Sequence, residues 1–209
     1  IQIHPIMKTT VLFILFALQA FNLNAQIDPT TPWTWMKGDH AIDNPGIYGN
    51  ITVAASTNKP GARTSATTWN DQSGNLWMFG GMGMSNSEQG YLNDLWKFNP
   101  STNHWTWIKG DSSTQQYSLY GTLGIAAAGN KPGAAYASVS WTDNSGNLWL
   151  FGGFGYTDND FGFLNTLWKY NPATNTWTWV KGDKLIDKTG TYGTKGNEHT
   201  NNKPGARYG

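Results

Sequence analysis

Apolar and polar residues in this chain fall into short runs that recur at a fixed interval. Residues 135–182 show the pattern. Ala135 to Thr142 is an apolar, β-prone run. Asp143-Asn144-Ser145-Gly146 is turn chemistry, with Gly where a positive φ is tolerated. Asn147 to Phe151 is continuously apolar, as in a strand buried on both faces. Gly152-Gly153 is expected to end that strand. Leu164 to Asn171 reads as a third strand, Pro172-Ala173-Thr174-Asn175 as the next turn, and Thr176 to Val180 as a fourth strand closed by Gly182. No long stretch holds a helical period free of Gly and Pro, so the expected fold class is all-β.

The runs belong to an internal repeat of 72 residues. Trp33-Thr34-Trp35-Met36-Lys37-Gly38-Asp39 returns at 105–111 and again at 177–183. Asn58-Lys59-Pro60-Gly61-Ala62-Arg63 returns at 130–135 and 202–207. Half of the positions in residues 33–104 are identical in residues 105–176. All 12 Trp fall into five registers: 33/105/177, 35/107/179, 69/141, 77/149 and 96/168. Four strands per repeat predict a β-propeller blade. Blades pack face to face, so both faces need apolar cover, and a Trp ring supplies about 150–250 Å² of it.

Composition narrows the chemistry. The chain has no Cys, hence no disulfide framework, thiolate metal site or thiol nucleophile. A formal charge of +1 is no footprint for nucleic acid. Only two Glu and four His are present, a poor stock for acid–base or metal chemistry. No cofactor is expected. Near the start, Met7-Lys8-Thr9-Thr10, the apolar run Val11 to Phe21 and the small residue Ala25 form a secretory signal pattern at about 7–25. That run is too short for a membrane span. The expected organisation is upstream residues and signal peptide at 1–25, then a partial propeller at 26–209 with repeats 33–104, 105–176 and 177–209. The expected location is secreted or at the cell surface.

The Gly doublets after an apolar strand (Gly80-Gly81, Gly152-Gly153) precede an aromatic before Asn-Pro (Phe98, Tyr170) and then a Trp (Trp105, Trp177). This order resembles the kelch repeat. Gly-Asn-Leu-Trp-Leu-Phe-Gly-Gly with Leu-Asn-Thr-Leu-Trp-Lys-Tyr-Asn-Pro is similar to secreted bacterial kelch proteins, often grouped with the propeller domain of galactose oxidase. The resemblance implies a propeller present as a fragment. Two blades are complete (63–107 and 135–179), with a leading strand d and the start of a third strand a. Two blades leave apolar faces uncovered, so residues 26–209 alone are expected to aggregate or stay molten. In this reading Gly80, Gly81, Gly152, Gly153, Trp77, Trp149, Trp96, Trp168, Trp105 and Trp177 are structural.

Divergence between the repeats is uneven. Residues 40–57 (the d–a segment) and 82–90 (the b–c loop) hold most of it, and in kelch propellers these loops share a face. Loops on a rigid scaffold are where binding residues concentrate. The candidates there are Tyr48, Tyr120, Tyr156, Asp158, Asp160 and Glu88, with Tyr48 and Tyr120 weighed also as loop anchors. Asp158-Asn159-Asp160 resembles part of a calcium loop but lacks the Gly-anchored pattern. The expected function is a non-catalytic module binding a protein or carbohydrate ligand through the d–a and b–c loops. The alternatives are the propeller portion of a copper-radical oxidase resembling galactose oxidase, whose Cys–Tyr crosslink and clustered His are not found in this sequence and would lie outside this fragment, and a glycan hydrolase, which needs two positioned carboxylates.

Overall fold

The 72-residue period folds into two successive antiparallel blades. They are seen in a computed structural model that describes Pro32 and residues 34–209. The expected signal peptide and Trp33 lie outside the described residues. Blade 1 comprises β1 (Arg63–Thr64), β2 (Thr67–Asn70), β3 (Leu76–Met84), β4 (Gln89–Asn99) and β5 (His104–Lys109). Blade 2 comprises β6 (Ala135–Tyr136), β7 (Val139–Thr142), β8 (Leu148–Phe151), β9 (Phe154–Tyr156), β10 (Phe161–Phe163), β11 (Leu167–Asn171) and β12 (Thr176–Lys181). The order across each blade is a–b–c–d, as the four-strand reading requires.

One local expectation changes, and a second holds in blade 2 alone. Strand a is not continuous. It breaks at Ser65 (φ 54°) and Ala137 (φ 52°), two non-glycine residues held left-handed at one register. The break is fixed between blades, because Ala137 N–H donates to Ser65 O at 2.9 Å. The Gly doublet ends strand b in blade 2, where β8 stops at Phe151 as expected, but not in blade 1, where β3 runs through Gly80-Gly81 to Met84. Gly80 and Gly81 have φ 61° and 96°, and Gly152 and Gly153 have φ 65° and 105°. Two consecutive positive φ values form a bulge that glycine alone reaches without strain. Pairing shifts register there, and the chain continues as a hairpin beyond it.

The blades join along strand a and through interdigitated aromatics. Trp69 Nε1 donates to Trp149 O at 2.9 Å, and Ser140 Oγ to Thr68 O at 2.9 Å. Phe79 meets Trp177 edge-on at 5.7 Å and Trp77 meets Tyr170 at 5.8 Å. These rings share one core with Leu95, Leu148 and Trp168. At about 25 cal/mol per Å², each fully buried Trp contributes roughly 4–6 kcal/mol gross, before ordering entropy. The equivalent face of blade 2 is open: Val139 and Trp141 are over 40% exposed where Thr67 and Trp69 are 4%. Trp141, Phe151 and Leu167 line a groove of about 290 Å³ there.

The invariant strings form a clasp. Asp111 accepts Asn93 Nδ2 at 2.9 Å and pairs with Lys131. Asp183 repeats this with Asn165 at 2.8 Å and Lys203 at 2.6 Å. Asn130 Nδ2 donates to Trp177 O at 3.1 Å. The d–a segment between these anchors follows the outer strand of the next blade. Gly124 N–H donates to Trp179 O, and Thr52 N–H to Trp107 O. Its unpaired edge is thereby covered, which removes a template for wrong pairing.

Candidate binding face

The d–a and b–c segments meet, as the resemblance implied. In blade 1 the b–c hairpin turns at Ser85 to Glu88, where the Ser85 hydroxyl accepts the Glu88 N–H at 3.0 Å. Glu88 Oε1 then accepts the Thr114 hydroxyl at 2.8 Å from the d–a segment, and Gln115 N–H donates to Tyr91 O. In blade 2 the turn runs from Thr157 to Asp160, and Asp187 N–H donates to Phe163 O at 2.9 Å. Both turns are locked from beneath, since Ser85 and Thr157 are fully buried.

The six sequence candidates separate. Tyr48 and Tyr120 are corrected: both are under 7% exposed and cannot meet a ligand. Tyr48 Oη donates to Asp94 Oδ2 at 2.6 Å. Burial, then the Asp94 charge and hydrogen bond, push its phenol far above the ordinary range. Tyr120 stacks on Trp168 at 5.2 Å and meets Trp179 edge-on at 5.0 Å, and burial raises its phenol as well. Each anchors the strap that covers an outer edge, so these positions of the variable d–a segment are scaffold. Glu88 is exposed but engaged in holding Thr114. Asp158 and Asp160 are exposed in the hairpin turn. Among the described residues no cluster of three metal-ligating side chains occurs.

Tyr156 alone joins a larger feature, whose other rings were not among the sequence candidates. Phe154, Tyr156, Phe161 and Phe163 lie on one side of the blade 2 hairpin, as cross-strand pairs Phe154↔Phe163 and Tyr156↔Phe161. Their centroids are 4.9 and 4.5 Å apart. The alternate positions are Gly155 and Gly162. A Cβ on Gly162 would meet Ile186 at 2.9 Å, so glycine lets the d–a segment close against the back of the hairpin. Tyr91 of blade 1 packs on Phe161 at 4.8 Å and stacks with Tyr136 at 5.7 Å. Tyr117 meets Tyr156 edge-on at 5.4 Å, and Tyr208 stacks on Phe163 at 5.4 Å. Eight rings thus form one patch, from Tyr117 (50% exposed) to Phe163 (38%) and Tyr208 (53%). Burial, with the neighbouring Tyr117 and Tyr91 phenols, raises the Tyr156 phenol.

The missed signal was present in the sequence. Phe154-Gly155-Tyr156 and Phe161-Gly162-Phe163 alternate aromatic and glycine with period 2, the mark of a one-sided strand pair. The equivalent blade 1 positions are Met82, Met84, Gln89 and Tyr91.

A kelch motif model matches residues 137–184, which run from strand a through strand d of blade 2. The chain is an all-β array of kelch-type propeller blades. It is 32% identical over 118 residues to the N-acetylneuraminate epimerase of Shigella flexneri serotype 5b (strain 8401), covering 47% of this chain and 32% of that protein. Proteins of the same name from Shigella sonnei (strain Ss046) and Escherichia coli (strain K12) match to the same extent. The chain spans about a third of the length of these curated relatives. The solved structure of YjhT aligns with a TM-score of 0.43 and 19% identity, over 61% of this chain and 40% of that one.

Proposed function

We propose that this chain is the ligand-binding part of a non-catalytic propeller working outside the cell, and that it engages its ligand through the face where the d–a and b–c segments meet. The observation that carries the reading is the partly exposed patch of eight aromatic rings on that face. Large rings left half in water on a rigid scaffold mark recognition surfaces. The signal pattern at about 7–25 supports the location. No helix among the described residues is long and apolar enough to cross a membrane.

A second reading is favoured by the relatives, which are named as epimerases of N-acetylneuraminate. In that reading the face would belong to an enzyme acting on a sugar. Catalysis needs an acid or base placed at the reacting atom. The titratable groups on the patch are phenols, and burial moves Tyr156 away from neutral pH.

The two readings separate in one experiment. Ligands retained by the immobilised chain on mixed glycan and protein arrays are eluted and analysed by mass spectrometry and NMR. Saturable retention with chemically unchanged ligand is expected. An epimerised or oxidised product in the eluate would overturn the non-catalytic reading.

A further inference from the structure

Resting on the binding reading above, we infer that the aromatic patch takes a neutral oligosaccharide, lying along the row of rings from Tyr117 to Tyr208. The argument begins with the surface chemistry. A sugar ring has a C–H face, which packs on an aromatic ring, and an equatorial rim of hydroxyls, which need hydrogen-bond partners. A surface that fits it must be apolar in its body and polar at its edges. Tyrosine supplies both in one side chain.

The patch has that composition. Three of its rings are Phe (154, 161 and 163) and five are Tyr (91, 117, 136, 156 and 208). None of the five phenol groups makes a hydrogen bond to another described residue. They contrast with Tyr48, Tyr170 and Tyr192, whose hydroxyls are engaged by Asp94, Asn175 and Arg207. None of the five is buried, so their hydroxyls reach solvent. Here the rings pack on one another and the hydroxyls stay available.

Charge decides between sugars. An anionic sugar such as N-acetylneuraminate calls for a guanidinium or ammonium at its carboxylate. The cation–π contacts among the described residues lie elsewhere: Lys97 on Trp77, Lys169 on Trp149, and Lys184 on Tyr120 and Trp179. Arg63 is paired inside blade 1, and Arg207 donates to Tyr192. Among the described residues no Lys or Arg lies over any of the eight rings, so the body of the patch suits an uncharged ligand.

Extent decides between one sugar and several. Contacts run without a gap from Tyr117 to Tyr156, Phe161, Phe154, Phe163 and Tyr208, with neighbouring centroids 4.5–5.4 Å apart. A single ring would leave one end unused, so the ligand is a chain of several sugars.

The experiment uses the whole chain with two probes: a neutral β-glucan hexasaccharide, and an oligosaccharide of equal length ending in N-acetylneuraminate. Calorimetry is run at two salt concentrations, on wild type, Tyr117→Ala, Phe163→Ser and the conservative Phe163→Tyr. Binding of the neutral probe, unchanged by salt and weaker for a disaccharide, is expected. Tyr117→Ala and Phe163→Ser should each weaken it about tenfold, with Phe163→Tyr near wild type and the thermal midpoint unmoved. Preference for the anionic probe, or salt-sensitive binding, overturns the neutral-sugar inference and leaves the binding face in place. Failure of both probes while the arrays retain a protein ligand on the same rings also overturns it. Loss of all retention overturns both readings.

Discussion

Blades 1 and 2 share a backbone and half of their residues, yet blade 1 is held at its centre by an ionic network that blade 2 lacks. In blade 1 Asp94 is fully buried and accepts four donors: Arg63 Nη1 at 2.5 Å, Arg63 Nη2 at 2.8 Å, Tyr48 Oη at 2.6 Å and Trp96 Nε1 at 2.7 Å. Burial works against the Arg63 charge, but the Asp94 charge outweighs it and the guanidinium is held more firmly protonated. One 72-residue step later the positions hold Thr166 for Asp94 and Ala135 for Arg63. Tyr120 and Trp168 remain and simply stack. The kelch-type backbone therefore needs the Tyr–Trp packing and not the charges. A buried ion pair is costly to break and no cheaper to keep than an apolar substitute.

The strongest test of that comparison removes one charge. Arg63→Ala leaves Asp94 buried with its ion partner gone, and should lower the unfolding free energy by about 3–5 kcal/mol. Arg63→Ala combined with Asp94→Thr rebuilds the blade 2 arrangement and should recover most of that loss. Urea titration followed by Trp fluorescence measures both. A double variant as unstable as the single one would mean that blade 1 depends on the ionic network itself.

A smaller effect separates the two anchoring tyrosines. Tyr48 Oη donates to a buried carboxylate, and a hydrogen bond to a charged group contributes about 1.5–3 kcal/mol. Tyr48→Phe should cost that much, while Tyr120→Phe keeps the stacking and should cost less than about 1 kcal/mol. Equal losses from the same titration would place the stabilisation in ring packing alone.

These differences mark where sequence reading succeeds. The blade, its four strands and the Asp143 turn were legible, because a period of 72 residues repeats the turn residues and the Trp registers. Strand b was read as ending at the Gly doublet, which holds in blade 2 and not in blade 1, because two glycines signal a stop as readily as a bulge. Only the pairing of Gly83 with Gly90 beyond the doublet distinguishes them. Tyr48 and Tyr120 were legible as a shared register, but their burial arises from a strap that folds back over the next blade's edge. The aromatic patch was obscured for the opposite reason. Its rings come from positions that differ between the repeats, namely Thr64/Tyr136, Met84/Tyr156 and Gln89/Phe161. A comparison that follows sameness passes over them.

The smallest effect concerns the hairpin turn, where the blades agree in design and differ in degree. Asp143 is held ionised by the side-chain amide of Asn147 and the indole of Trp149, at 2.9 and 2.8 Å, with backbone N–H groups of Asn147 and Ser145 adding to them. Its carboxyl is drawn down to about 2. At Asp71 partial burial opposes ionisation, but the equivalent bonds from Trp77, Asn75 and Ser73 outweigh it and the carboxyl again falls below its ordinary value. A carboxyl whose folded value lies below its unfolded one binds fewer protons in the native state. Its stabilisation is therefore complete above about pH 4 and is lost as pH falls towards 2. The thermal midpoint should drop across that window. Asp71→Asn with Asp143→Asn keeps an acceptor oxygen in each turn and removes the titrating charge, so the double variant should show a shallower drop. Asp183, drawn down by Lys203 and Asn165 against its own burial, leaves a residual slope. Midpoints measured at pH 4.5, 3 and 2 decide the matter, and parallel curves for wild type and variant would remove the turns from the acid response.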